Sequence, residues 1–319
     1  MVINQSRRVA DVLLLPLTLI CSVWLKFVVR KSFATMPLTE FTFLRFGFLP
    51  IRDHYYHPLV NPGKHLKGSL REDRPLPGLD LNVTEQLALL SQFTYADELT
   101  RFPLTKTKNR EYYYDNGAFA SGDSEYLYNM IRHHKPKRII EIGSGHSTLM
   151  AINATKRNKR DNSTHTCEHT CIEPYEMPWL EQTGVKVIRQ KVEEVDQNLF
   201  KSLKEGDILF IDSSHVIRPQ GDVLTEYLEI LPLLNPGVLV HIHDIFSPRD
   251  YLNEWVYKEH FLWNEQYLLE AFLSFNKAFK VLAAVNYLKH NHGAALGAKC
   301  PILAQQPNRE PGSFWIQRT

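Results

Sequence analysis

From residue 138 onward, runs of branched apolar residues alternate with stretches in which apolar positions return every three or four residues. The first run, "RIIEI" at 138–142, leads into Gly143-Ser144-Gly145 and then into the helical spacing of Leu149, Met150 and Ile152. That is the pattern of a buried strand, a tight turn and a helix. Further strands are expected over 170–173, 185–190, 207–212 and 237–243, with helices over 177–183 and 223–234 among the segments between them. After the fifth strand, "NEQYLLEAFLSF" reads as a helix, and "FKVLAAVNYL" and "SFWIQ" read as two closing strands, the last antiparallel. Strands alternating with helices imply parallel order and right-handed crossovers. The expected fold is α/β: a doubly wound, mostly parallel seven-stranded sheet of Rossmann-like type, with ligands outside the carboxyl ends of its strands.

The pattern upstream is different and suggests three segments, 1–35, 36–120 and 121–319. Residues 12–25, "VLLLPLTLICSVWL", carry no charge, are bounded by Asp11 and Lys26 and are interrupted by Pro16. A spanning helix needs about 20 apolar residues, so this run spans only if residues 9–10 and 27–29 join it. No small-residue cleavage site follows, which argues against a signal peptide. Membrane contact through residues 9–29, as a short anchor or an interfacial helix, is one expectation; a buried amphipathic helix is the other. Between residues 41 and 103 the chain is rich in Pro, His and Tyr, with a helix signal at 82–93 where Asn82 and Glu85 have the spacing of a capping box. This segment reads as a lid or docking surface, or as an irregular extension packed over the core.

Composition narrows the class. At 319 residues and 44% hydrophobic content the chain can bury one large core. Its formal charge of +2, with both signs interleaved, leaves no footprint for nucleic acid. Cysteines 21, 167, 171 and 300 are scattered, give no disulfide framework and suit a reducing compartment. A cytoplasmic protein, attached or not to the cytoplasmic face of a membrane, is expected.

The candidate chemistry sits at the strand ends. Gly143 and Gly145 permit a sharp turn and close approach to a ligand, and Glu141 at the end of the first strand can accept hydrogen bonds from an amine-bearing one. A dinucleotide fingerprint would have glycine where Thr148 stands, and no phosphate-loop lysine follows. Glu173 ends the second strand, where an acid can take both hydroxyls of a ribose. Together these favour a nucleoside cofactor without a pyrophosphate. The fourth strand ends "DSSH" and the fifth "HIHD", so Asp212 and Asp244 should converge, with His215 and His243 beside them and His241 sharing a face with His243. "HTCEHTC" at 165–171 alternates soft ligands along one strand, which is not the paired-cysteine spacing of a closed zinc site.

In this order, "IIEIGSGHST", "CIEPYE", "ILFIDSSH" and "PGVLVHIHD" resemble motifs I to V of the class I S-adenosylmethionine-dependent methyltransferases. The resemblance covers roughly residues 121–317. It implies S-adenosylmethionine as cofactor, with Glu141, Gly143, Ser144, Gly145 and Ser147 around its methionine part, Glu173 on the ribose, Val192 and Glu193 near the adenine, and Asp212 at the edge of the site. The strand ends further resemble the metal-dependent sugar O-methyltransferases of macrolide pathways and the cephalosporin-hydroxylase-like proteins. That likeness implies a divalent metal (Mg, Mn, Fe or Zn) on Asp212, His243 and Asp244, with His215 as the catalytic base. His243 stands where that family has Glu. The function implied is methyl transfer to an oxygen of a sugar or other polyhydroxylated acceptor, a small molecule or a glycan. A metal-dependent oxygenase on the same sheet and a silent membrane-tethered nucleoside-binding module are the alternatives.

Overall fold

The computed structural model describes residues 2–319 apart from Val60 and Asn109. Two compact units divide between Gly68 and Ser69. In the first, α1 (Val2–Lys31) runs unbroken through Pro16, and α2 (Pro37–Arg45) follows. Phe43 of α2 packs against Phe33 and Phe48. Helix formation recruits the residues flanking the uncharged run, and over Ser6–Lys31 α1 is the one helix among the described residues long and apolar enough to cross a membrane. Most of its described apolar side chains, Leu13 and Val23 among them, are exposed, while Val28 is buried.

The second unit is built on a seven-stranded sheet in the order β3-β2-β1-β4-β5-β7-β6. Its strands are β1 (Arg138–Ile142), β2 (Glu168–Ile172), β3 (Lys186–Ile188), β4 (Ile208–Ile211), β5 (Leu239–Ile242), β6 (Phe279–Ala284) and β7 (Phe314–Arg318). β1 to β5 pair in parallel, and β7 is antiparallel to both of its neighbours. This is the doubly wound, mostly parallel sheet that the apolar pattern predicts. Central strands buried on both faces need apolar residues throughout, which is why Ile139 and Ile140 serve opposite cores.

On one face lie α3 (Val83–Ser91), α4 (Asp123–His134) and α5 (His146–Asp161), whose Leu90, Met130 and Met150 meet Ile139, Phe210 and Trp315. Residues 69–120 therefore supply part of the main core, with Leu99, Tyr112 and Tyr114 fully buried. On the other face α6 (Glu265–Leu273) packs Leu269 and Leu273 with Ile140, Leu209 and Val240.

Three local expectations change. Asn82 adopts φ 55° and makes no side-chain cap; its amide nitrogen instead donates to the Val281 carbonyl, so the capping box does not form. The closing strand expected through "FKVLAAVNYL" stops at Ala284, where α7 (Val285–Asn291) begins, because Val285 and Leu288 are buried at helical spacing. The helix expected over 223–234 starts at Asp222–Thr225, widens to a π-turn at Glu226–Ile230 and tightens at Leu231–Leu233. The wider turn carries Glu226 and Tyr227 into the interior.

Candidate active site

The sheet reverses its winding between β1 and β4, and a crevice opens at the carboxyl ends of strands on either side of such a switch point. A cavity of about 670 Å³ lies there, within the range that takes a small-molecule cofactor. Gly143, Glu173, Val192, Glu193 and Asp212, all expected from the sequence, line it together with Ser213. Glu141, Ser144, Gly145 and Ser147 are not among the lining residues; Glu141 and Ser147 are buried.

The two glycines of the turn differ in what requires them. Gly143 has φ 76°, and a Cβ there would lie 1.9 Å from the carbonyl oxygen of Asp212. Its glycine is thus needed so that the end of β1 can pass the end of β4, rather than only for approach to a ligand. Gly145 meets nothing closer than Met177 Cε at 3.5 Å. The loop is held from β2: Glu173 Oε2 accepts the Ser144 N–H at 3.3 Å, and Oε1 accepts the N–H groups of Tyr175 and Glu176 at 3.0 and 2.9 Å. One carboxylate therefore sets both the turn after β1 and the turn after β2.

At the edge of the cavity, where Asp212 stands, the acidic strand ends converge. Asp212, His215 and Asp244 each bring one ligand atom within 4.8 Å of the others. His215 Nε2 lies 3.3 Å from Asp212 Oδ1 and 3.7 Å from Asp244 Oδ2. His215 and Asp244 both hold left-handed backbone, φ 59° and 56°, a conformation that persists in non-glycine residues where the surroundings enforce it. Gly312 allows this at Asp244, since a Cβ on it would come within 2.9 Å of the Asp244 Cα.

Behind His215 stands a residue that no sequence motif reveals. Glu265, fully buried in the first turn of α6, places Oε2 2.8 Å from His215 Nδ1, and its Oε1 accepts the Tyr227 hydroxyl at 3.1 Å. Neighbouring Glu226 accepts the Ser213 hydroxyl, and its pKa is raised well above the usual range by burial first and by Glu265 second. Burial opposes the charged form of His215, but the carboxylates of Asp212, Glu265 and Asp244 outweigh it and hold its pKa well above the ordinary value. Burial likewise raises the Asp212 carboxyl, but the fields of His243 and His215 prevail and hold it at about 2.

His243 was expected among the metal ligands; the structure leaves it outside the three-residue group and places His215 there instead. The reason is strand parity. His243 follows β5 on the same face as His241, its ring 5.1 Å from Phe119, with Nε2 3.5 Å from Asp244 Oδ1. Burial works against its charge, yet Asp244, Asp212 and Asp123 outweigh it and raise its pKa above the ordinary value. His241 is a core residue: it stacks on Phe210 at 4.1 Å and meets the Ser313 hydroxyl at 2.9 Å. Asp123, also absent from the expected set, is buried at the start of α4 and accepts from the Ser313 N–H and hydroxyl.

Residues 140–245, from within β1 to just past β5, match a family model described as a methyltransferase domain. An uncharacterized protein of Archaeoglobus fulgidus is 32% identical over 167 residues, covering 49% of this chain and 74% of that protein. A solved structure described as cmcI-D160 Mg-SAM is 14% identical, over 62% of this chain and 71% of its own, at a TM-score of 0.37. An O-methyltransferase from Bacillus cereus in complex with SAH is 11% identical, over 74% and 91%, at 0.36. These structural likenesses are distant, so the assignment rests on the family match and on the topology. A methyltransferase-domain match over the five parallel strands, on a sheet ordered β3-β2-β1-β4-β5-β7-β6 with its cavity at the switch point, places this chain among the class I S-adenosylmethionine-dependent methyltransferases.

Proposed function

We propose that the chain transfers the methyl group of S-adenosylmethionine to a hydroxyl oxygen of a sugar or other polyhydroxylated acceptor, with His215 taking the hydroxyl proton. The observation that carries this reading is the setting of His215: Nδ1 is fixed by Glu265 while Nε2 faces Asp212 and Asp244. An imidazole held in this way presents one defined nitrogen to a substrate. Its ring also lies 4.4 Å from that of Trp263, on which Phe261 stacks at 4.7 Å with part of its surface exposed. Aromatic faces beside a polar cluster suit the mixed C–H and hydroxyl faces of a sugar. Transfer of label from methyl-labelled S-adenosylmethionine to a panel of glycosides and matched phenols tests the acceptor class. Label on glycosides is expected; label on phenols alone would contradict it.

Asp212 and Asp244 fit a divalent metal, because they are two oxygen ligands that converge beside His215, whose Nε2 on this reading is kept for the acceptor's proton. A cation there would offset the field of the two carboxylates that raises the His215 pKa, leaving the imidazole freer to accept the hydroxyl proton, and would lower the pKa of a bound hydroxyl. A pair of carboxylates with His215 free beside it differs from the two histidines and one carboxylate of non-haem iron oxygenases, which favours the transferase reading over the oxygenase.

On this proposal Glu173 takes the ribose hydroxyls, Val192 and Glu193 bound the adenine, and Gly143 to Gly145 turn past the methionine part, with Ser147 and Glu141 supporting the loop from beneath. Glu173→Ala should weaken S-adenosylhomocysteine binding at least ~10-fold, since charge-assisted hydrogen bonds are worth about 1.5–3 kcal/mol. It should also lower the melting temperature, because three backbone N–H groups lose their acceptor. Unchanged binding in calorimetry would remove Glu173 from the cofactor site.

We further propose that α1 anchors the protein on the cytoplasmic face of a membrane. Deleting residues 1–31 should move the protein from the membrane fraction to the supernatant with cofactor binding intact, since those residues precede every site element. A full-length protein that stays in the supernatant without detergent would contradict the anchor.

A further inference from the structure

His169 and Cys171 project from β2 onto the sheet face that Glu141 occupies on β1, with Cys171 opposite Glu141 in the parallel register. Glu141 and Cys171 are fully buried and His169 nearly so. The separations are 2.9 Å for His169 Nε2 to Glu141 Oε2, 3.3 Å for Cys171 Sγ to the same oxygen, and 3.9 Å between Sγ and Nε2. A tetrahedral zinc ion, with bonds of about 2.0 Å to N and O and about 2.3 Å to S, spaces such ligands about 3.3 to 3.6 Å apart. Each observed separation lies within about half an ångström of that spacing.

As a set of hydrogen bonds alone, the trio is unbalanced. Glu141 Oε2 faces both neighbours, while Glu141 Oε1, His169 Nδ1 and the hydroxyl of adjacent Ser144 are buried without hydrogen-bond partners. The carboxylate has no Lys or Arg partner among the described ion pairs; the His169 imidazole is the one basic group paired with it there. We propose that Glu141, His169 and Cys171 hold a zinc ion that ties β1 to β2 beneath the Gly143–Gly145 turn. Carboxylate and thiolate together neutralise the ion, and bidentate coordination gives Oε1 its partner. One thiolate and one imidazole select zinc over magnesium. The Ser144 hydroxyl or a water completes the sphere. The alternating "HTCEHTC" segment conceals this site because its third ligand comes from the neighbouring strand.

The test is the metal content of full-length protein purified without chelator and dialysed against EDTA. About one zinc per chain is expected, falling away in Cys171→Ala and in Glu141→Gln and unchanged in Asp244→Asn. Because the core variants can fail to fold, the wild type is also loaded with cobalt and read for the thiolate-to-cobalt absorption band. Zinc-free wild type that shows no cobalt–thiolate band overturns the proposal, as does zinc that persists in folded Cys171→Ala and Glu141→Gln.

Discussion

His215→Ala should lower methyl-transfer turnover by ~10²–10⁴-fold, the usual contribution of a positioned general base, with little change in S-adenosylhomocysteine affinity. Attack on a sulfonium methyl is an in-line displacement, and a hydroxyl is a poor nucleophile until its proton is withdrawn. His215 Nε2 is the imidazole nitrogen directed at the two acidic strand ends, and Glu265 on Nδ1 leaves it no alternative orientation. Glu265→Gln should therefore reproduce part of the loss although this residue lies behind the imidazole. Single-turnover kinetics separate chemistry from binding: both variants should slow the transfer step itself. Normal single-turnover rates in His215→Ala would remove it as the base.

Gly143→Ala should abolish cofactor binding and lower the melting temperature by about 5–10 °C. The added Cβ would sit 1.9 Å from the Asp212 carbonyl oxygen, a separation at which backbone must move, and it would do so at φ 76°. Strain of a few kcal/mol in a domain of this size corresponds to a shift of that order. The displaced backbone is that of Asp212, directly after β4, where Asp212 lines the cavity, so stability and binding fail together. Gly145→Ala is the control. Its nearest neighbour, Met177 Cε, is at an ordinary 3.5 Å, so the fold should persist and any loss should appear in cofactor affinity. Thermal melts and calorimetry on the two variants distinguish a glycine required by the scaffold from one facing a ligand.

Much of the scaffold was legible in the sequence because a parallel sheet buried on both faces leaves continuous apolar runs. β1 falls on the expected residues, and β2, β4 and β5 end where acids or histidines leave the ladder: Glu173, Asp212 and His243. The cavity-lining set of Gly143, Glu173, Val192, Glu193 and Asp212 was likewise readable, since each sits at a strand end or on the turn after one. What was hidden depends on register and on distant segments. Strand parity carries His243 to the α4 side with His241, while the left-handed backbone of His215 returns its ring toward the acids. Glu265 lies fifty positions from the histidine it holds. The one local trace of its role is a carboxylate in the first turn of an apolar-rich helix, "NEQYLLEAF", which otherwise reads as an ordinary helix start. Asn82 matched a capping pattern, yet its amide was drawn to Val281 on β6, a partner no local motif encodes.

If the cavity at the β1–β4 switch point is built for S-adenosylmethionine, calorimetric titration of the full-length protein with S-adenosylhomocysteine reveals it without knowledge of the acceptor. Saturable binding at one site per chain, retained in His215→Ala and lost in Gly143→Ala, is the expected result. A folded wild-type protein that gives no heat of binding, or a Gly143→Ala variant that binds like the parent, would contradict the account.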